Sequence, residues 1–302
     1  MIASYIHLPR VTKKENIFMI DEHVNNPKSI KFYVRNYLES IKTQLKDKIV
    51  IDIPAGNGAT SEILKDVGAR VKPFDLFPEY FMLENTKCER ADIMDKIPVD
   101  DNYADMLICQ EGIEHFSDQL KVFKEFNRVL KNHGKLVITT PSYSHLTAKF
   151  NYLLSESEAG QLMPPNEIDD IWMSDRSVTN EIYYGHIFLL GLQKLRVLGK
   201  LSGFNIYENK YVRLSKGSLF LFPFVYPFIL LRSLLTYYKN MRWDKNLSSS
   251  FKKSVYREQL AINISPKNLL NKHTFIIFEK EKNATELDFR NENLIKTFDK
   301  IM

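Results

Sequence analysis

The chain has 302 residues, of which 44% are hydrophobic and 26% charged, a globular composition that excludes a disordered or collagen-like polymer. Its length suits either two domains or one core carrying large insertions. The net charge of +5 is uneven: residues 194–257 hold thirteen Lys/Arg against two acids, a local +11 that leaves −6 for the rest, which excludes a uniformly polybasic nucleic-acid binder.

The N-terminal stretch 1–47 is polar and shows no signal-peptide pattern over residues 1–14. It ends in a predicted helix, because Ile30, Tyr33, Val34, Tyr37, Leu38 and Ile41 recur at helical spacing after Asn26-Pro27. Residues 48–141 read as a core. The apolar, β-branched run 48–53 predicts a buried strand, Gly56 and Gly58 a turn, 61–67 a helix closed by Gly68, and 69–74 a second strand ending at Asp75. Strands follow at 103–109 and 135–140, separated by an amphipathic helix over 116–131 that His133-Gly134 terminates. Residues 142–185 read as a loop-rich insertion or lid, with Pro164-Pro165 and the acids Glu167, Asp169 and Asp170. Residues 186–209 return to the core with a helix at 188–201 and a strand at 203–207. A second insertion fills 210–270, and 271–302 supplies a last strand at 273–278 and a charged tail ending in a short surface helix. Cys88 and Cys109 have no metal-ligand spacing and cannot build a disulfide framework, so they read as core thiols of a reducing compartment.

Strands alternating with helices imply a parallel sheet covered on both faces, with ligands at the carboxyl ends of the strands. The residues there carry chemistry. Val50-Ile-Asp-Ile-Pro-Ala-Gly-Asn-Gly58 puts Asp52 at a strand end, then Pro54, Ala55, Gly56 and Gly58 in a turn, then a helix. Such glycines permit close backbone approach to a ligand, although they also serve plain strand–helix packing. Asp75, followed by Leu76, stands where an acid accepts hydrogen bonds from ribose hydroxyls. Asp92 and Ile93 pair an acid with an apolar side chain, suited to an adenine edge and face. Gln110-Glu-Gly-Ile-Glu-His115 follows the next strand, and Arg128-Val-Leu-Lys-Asn-His-Gly134 precedes another.

These five stretches, in this order, resemble the class I S-adenosylmethionine-dependent methyltransferases, well over 48–141 and loosely over 186–207. The resemblance implies a Rossmann-like α/β fold: a seven-stranded, mostly parallel sheet of order 3-2-1-4-5-7-6, its last strand antiparallel, with helices on both faces. It also implies S-adenosylmethionine across Asp52, Pro54, Ala55, Gly56, Gly58, Asp75, Leu76, Asp92, Ile93, Gln110 and Glu111. Two departures stand out: Pro54 replaces the first glycine, and Asn132-His133-Gly134 replaces Pro-Gly-Gly. Methyl transfer to a hydroxyl needs a base, and His115, Glu111 and His186 are the candidates, each with a purely structural reading beside it. Glu111, Glu114 and His115 with His186 also resemble the divalent-metal set of some O-methyltransferases, but the cofactor reading assigns no metal.

The second insertion contains 217–231, fifteen residues without a charge, flanked by Lys210, Arg213 and Lys216 and by Arg232, Lys239, Arg242 and Lys245. Pro223 and Pro227 argue against one straight helix, and the run is too short to span a bilayer. It reads either as a buried cap over the substrate site or as a membrane-interface element through 217–243, and not as a nucleic-acid surface. By resemblance the enzyme is cytoplasmic, peripheral at the inner membrane face, and acts on a glycan or lipid-linked saccharide. The rivals are a quinone-like lipid acceptor and a non-catalytic, membrane-docked scaffold.

Overall fold

A computed structural model describes residues 23–157, 164–167, 171–173, 182–243 and 248–286; Asp169, Asp170 and the predicted tail helix lie outside them. The elements run α1 (Ile30–Ser40), α2 (Lys42–Leu45), β1 (Ile49–Asp52), α3 (Ala59–Asp66), β2 (Arg70–Asp75), β3 (Glu89–Arg90), β4 (Ala104–Gln110), α4 (Gln119–Val129) and β5 (Leu130–Pro141). Then follow α5 (Leu146–Ser155), β6 (Ile171–Met173), β7 (Ile182–Tyr184), α6 (Leu192–Leu201), β8 (Phe204–Asn209), α7 (Lys216–Arg242), α8 (Ser249–Ile264), α9 (Pro266–Leu270) and β9 (His273–Lys280).

Seven strands form one sheet ordered β3-β2-β1-β4-β5-β9-β8, and β6 pairs with β7 as a separate two-stranded antiparallel sheet. Strands β1 to β5 pair in parallel, while β9 runs antiparallel to both β5 and β8. Counting sheet strands alone, this is the predicted 3-2-1-4-5-7-6 order. The central strands alternate between two cores, as a sheet buried on both faces requires. Ile51, Leu107, Leu136 and Phe278 join Phe123 and Phe126 of α4 and Leu195 of α6. Val50, Ile108, Val137 and Ile277 join Val34 and Leu38 of α1 and Leu64 of α3 on the other face.

Three expectations need correction. Helix α4 is shorter than 116–131, because Asp118 caps it by accepting from the Lys121 N–H, and Leu130 is already paired with Ala104 in the sheet. His133 and Gly134 therefore lie inside β5, at a register irregularity, instead of terminating the helix. The insertion after Pro141 is partly helical, since His145 caps α5 by accepting from the Ala148 N–H. The third correction is the largest. Residues 216–242 form one 27-residue helix with both prolines inside it, long and apolar enough by composition to cross a membrane. Pro223 and Pro227 are exposed, so their rings displace no packed neighbour. Their missing N–H groups release the Leu219 and Pro223 carbonyls along the same open side.

The insertion is joined to the sheet at one edge. Leu214 bridges Asn271 just before α7 and β9 begin, and His273 of β9 pairs with Pro141 at the carboxyl end of β5. Ser218 in the first turn of α7 bonds His145 and Thr147 of the α5 start, and α8 packs back along α7 through Asn263 to Ser233. Helix α7 thus starts at the ligand-binding edge of the sheet.

Candidate active site

Strand β1 delivers Asp52 to the sheet's carboxyl edge fully buried. Its Oδ2 accepts from the Ser61 hydroxyl at 2.6 Å, and its Oδ1 has no hydrogen-bond partner among the described residues. Burial pushes its pKa up to about 7, with the Ser61 bond opposing and Asp75 reinforcing the rise. Lys31 of α1 faces it as a counter-charge; the lysine's own burial lowers its pKa, and Asp52 opposes that.

The turn after β1 needs its glycines. Gly56 and Gly58 sit at φ +52 and +93, in the left-handed region that costs an L side chain about 1–2 kcal/mol. A Cβ on Gly56 would meet nothing within 4 Å among the described residues, so space opens above the loop there. The Gly56 N–H donates to Asp75 Oδ2 at 2.7 Å, and Phe77 N–H donates to Asp75 Oδ1 at 2.8 Å. Asp75 therefore ties β2 to the glycine turn, while a carboxylate's four lone-pair sites leave capacity for a diol. Pro54 packs on Gly112, where a Cβ would come 2.4 Å from Pro54 Cδ. Ala55 N–H donates to the Phe74 carbonyl, joining the turn to β2. Gln110 Oε1 accepts from the Thr60 hydroxyl at 2.9 Å. Leu76 is half-buried beside Asp75; Asp92 is exposed and accepts from the Met94 N–H; Ile93 is buried in the core.

The predicted base residues separate into two groups. Glu111 takes a positive φ of 49, and its Oε1 accepts from the Thr139 hydroxyl at 3.0 Å while Oε2 lies 3.2 Å from His273 Nε2. Burial opposes ionisation, but His273 and Thr139 together hold Glu111 below the ordinary carboxylate range. The other group is Glu114, His115 and His186, whose ligand-type atoms lie within 4.8 Å of one another. Glu114 is fully buried, neither oxygen has a hydrogen-bond partner among the described residues, and burial with nearby Glu111 raises its pKa well above normal. The His115 and His186 rings stand 5.3 Å apart at 31°. His115 Nδ1 lies 3.1 Å from the Gly185 carbonyl, which only accepts, so Nδ1 carries the proton and Nε2 is the basic nitrogen. His273, Lys31, Ser61 and Thr60 escape a sequence reading, since each meets its partner only through the fold.

Residues 51–138 match a family described as a methyltransferase domain. A structure of an S-adenosylmethionine-dependent methyltransferase from Archaeoglobus fulgidus superposes with a TM-score of 0.50 at 13% identity, covering 88% of this chain and 99% of its own. Residues 51–138 are thus similar to a methyltransferase domain, and the sheet has the fold of the S-adenosylmethionine-dependent methyltransferases. Among curated relatives, a demethylmenaquinone methyltransferase from Chlorobaculum tepidum is 30% identical over 97 residues, 30% of this chain and 40% of its own. A ubiquinone biosynthesis O-methyltransferase from Nitrosomonas europaea is 27% identical over 152 residues, 44% of this chain and 65% of its own. The chain thus spans less than two-thirds of the length of the curated relatives it matches. S-adenosylmethionine is the cofactor of this methyltransferase family, and the site fits it on two counts. The orphaned Asp52 oxygen is a buried acceptor in need of a donor, and the open space over Gly56 admits a ligand against the backbone.

Proposed function

We propose that this methyltransferase-family protein moves the methyl group of S-adenosylmethionine to a hydroxyl oxygen of a glycan or lipid-linked saccharide, at the cytoplasmic face of a membrane. The observation that carries the reading is the pairing of two half-sites at one sheet edge. An acid–glycine turn with open space lies on β1, and Glu114, His115 and His186 gather beyond β4, joined to that turn through the Pro54–Gly112 contact. When bound, the cofactor supplies a sulfonium methyl group whose leaving thioether is neutral. Gly56, Gly58 and Asp75 would hold it, together with Asp52, Ala55, Leu76, Asp92 and Gln110. His115 Nε2 takes the acceptor's proton, and Nδ1 stays fixed on Gly185 so that the imidazole keeps its orientation. A positioned base contributes about 10²–10⁴ in rate, and alignment in a water-poor site supplies most of the remainder.

Calorimetric titration tests the cofactor half. S-adenosylmethionine and S-adenosylhomocysteine should both bind the parent, and Asp75→Ala should weaken both by roughly ten- to a hundredfold, as losing charge-assisted hydrogen bonds implies. With radiolabelled cofactor and a lipid extract, His115→Ala should cut turnover by about 10²–10⁴ while leaving cofactor affinity near the parent's. A folded parent that binds neither ligand, with or without extract, would establish the scaffold instead.

A second reading takes a quinone-like lipid as acceptor, supported by what the curated relatives' names say of those proteins. For either acceptor, Glu114, His115 and His186 form a candidate divalent-cation trio, since carboxylate with imidazole suits Mg²⁺ or a transition metal. Turnover abolished by a chelator and restored by a divalent salt would assign the cation. Turnover that ignores the chelator would leave the imidazoles as an unassisted base.

A further inference from the structure

We propose that α7 docks this protein, face down, into the headgroup layer of an anionic lipid bilayer. This rests on the fold and holds or fails independently of the acceptor. Two residues per turn of α7 stand open to solvent, and from Leu219 to Phe228 they are apolar. Phe220, Phe224 and Phe228 are 72%, 65% and 72% exposed, and Leu231 and Leu235 continue the stripe. The opposite side is occupied by the protein itself: Ser218 is bonded to α5 and Ser233 to Asn263 of α8. The stripe is therefore not a misplaced core face.

Charge selects the occupant. Helix α7 has four cations, Lys216, Arg232, Lys239 and Arg242, and no acid. All four are exposed, and Tyr238 and Trp243 stand beside the C-terminal ones. An apolar stripe ending in cations and amphipathic rings matches an acyl-chain boundary beneath anionic phosphates. A second copy of the chain would bring the same cations against these, which disfavours a symmetric pairing.

Geometry selects the depth. The stripe from Leu219 to Leu235 rises only about 24 Å at 1.5 Å per residue, short of a hydrocarbon core of about 30 Å. The Leu219 and Pro223 carbonyls released by Pro223 and Pro227 lie on the open side. Headgroup water satisfies them, whereas hydrocarbon leaves them bare. Helix α7 also cannot cross a bilayer without dragging α5 and α8 with it.

Co-sedimentation of the full chain tests this with vesicles of phosphatidylcholine alone and of phosphatidylcholine mixed with phosphatidylglycerol. The parent should pellet with the mixed vesicles and be released by salt. Phe220→Glu/Phe224→Glu/Phe228→Glu should lose binding at least tenfold with melting temperature unchanged, because these rings face solvent. Arg232→Gln/Lys239→Gln/Arg242→Gln should lose roughly a hundredfold on the mixed vesicles and little on phosphatidylcholine, at the usual contribution per cation. In a Trp172→Phe background, the remaining Trp243 should shift its emission to the blue on mixed vesicles. A parent that stays in the supernatant would overturn the proposal, as would equal binding by the triple Glu variant. Resistance of the bound protein to alkaline carbonate would overturn the interfacial depth. A dimer that the Glu variant dissociates, without vesicle binding by the parent, would assign the face to a second copy.

Discussion

At Gly112 the backbone is ordinary, φ −129, yet a Cβ there would sit 2.4 Å from Pro54 Cδ. At Gly56 the space is open, and the obstacle is the left-handed backbone at φ +52. Alanine at the two positions should therefore fail differently. Gly56→Ala should lose about 1 kcal/mol of stability from backbone strain and weaken cofactor binding, as its methyl enters the open space. Gly112→Ala should lose about 1–3 kcal/mol from overpacking, and Pro54→Gly in the same chain should recover part of it. Urea titration of the two single variants and the double variant measures both; additive losses for 54 and 112 would refute the contact. From the sequence, Pro54 is legible only as a departure from the family's glycine. Its compensation lies in a glycine on another strand-end loop, and no local pattern links the two. Glu111 is similar: the sequence offers it as a base or cofactor contact, but in the fold it faces His273 and Thr139.

Between elements, the junction of α5 and α7 depends on His145 staying neutral. Its Nδ1 accepts from the Ala148 N–H and pairs with the Ser218 hydroxyl, a role an imidazolium cannot fill. Burial, and then the charges of Lys272, His273 and Lys149, depress its pKa to about 4. The unfolded chain binds a proton here below about pH 6.5, whereas the folded chain resists until about pH 4. Stability is therefore present above that window and is lost as pH falls through it. This group should remove on the order of 2 kcal/mol between about pH 7 and about pH 5. His145→Gln keeps an acceptor and should flatten that part of the pH profile, as urea midpoints at the two pH values would show. An identical slope in both proteins would assign the acid loss elsewhere. The same junction explains why the prolines do not break α7. Two prolines usually break a helix, but here they fall on the one face that packs against nothing described, while polar residues elsewhere hold the helix in place. Phe222, by contrast, is half-buried and stacks on Tyr226 at 4.5 Å, so its position in the apolar run does not put it on the open face. Exposure within an all-apolar stretch is set by tertiary contacts, which residue type does not encode.

Across the whole molecule, what was legible divides by distance along the chain. Buried parallel strands announce themselves as short apolar runs, and the proposed cofactor half of the site uses residues within or just after those runs, Asp52 to Gly58 and Asp75. The proposed acceptor half is built from pairings between remote segments, His115 with Gly185 and Glu111 with His273, and periodicity carries no signal for these. The charge asymmetry falls between the two cases. It marked residues 194–257 as distinct, but only the fold shows where they lie: α7 starts beside β9, at the edge of the sheet that carries the acid–glycine turn. If the open face of α7 meets lipid, the helix holds the sheet edge that carries the candidate site close to the bilayer, and a lipid-borne acceptor would arrive by lateral diffusion in two dimensions. Docking then raises acceptor encounter without touching the chemical step, which acts on KM and leaves kcat alone. Methyl transfer to an acceptor held in phosphatidylglycerol-containing vesicles should accordingly show a lower KM than the same acceptor in neutral detergent. Phe220→Glu/Phe224→Glu/Phe228→Glu should raise that KM at least tenfold, keep kcat, and leave a short-chain soluble acceptor analogue unaffected. A fall in kcat on the soluble analogue would mean that α7 shapes the site directly, as a cap over the substrate. Equal kinetics in vesicles and detergent would separate the lipid-facing helix from the reaction altogether.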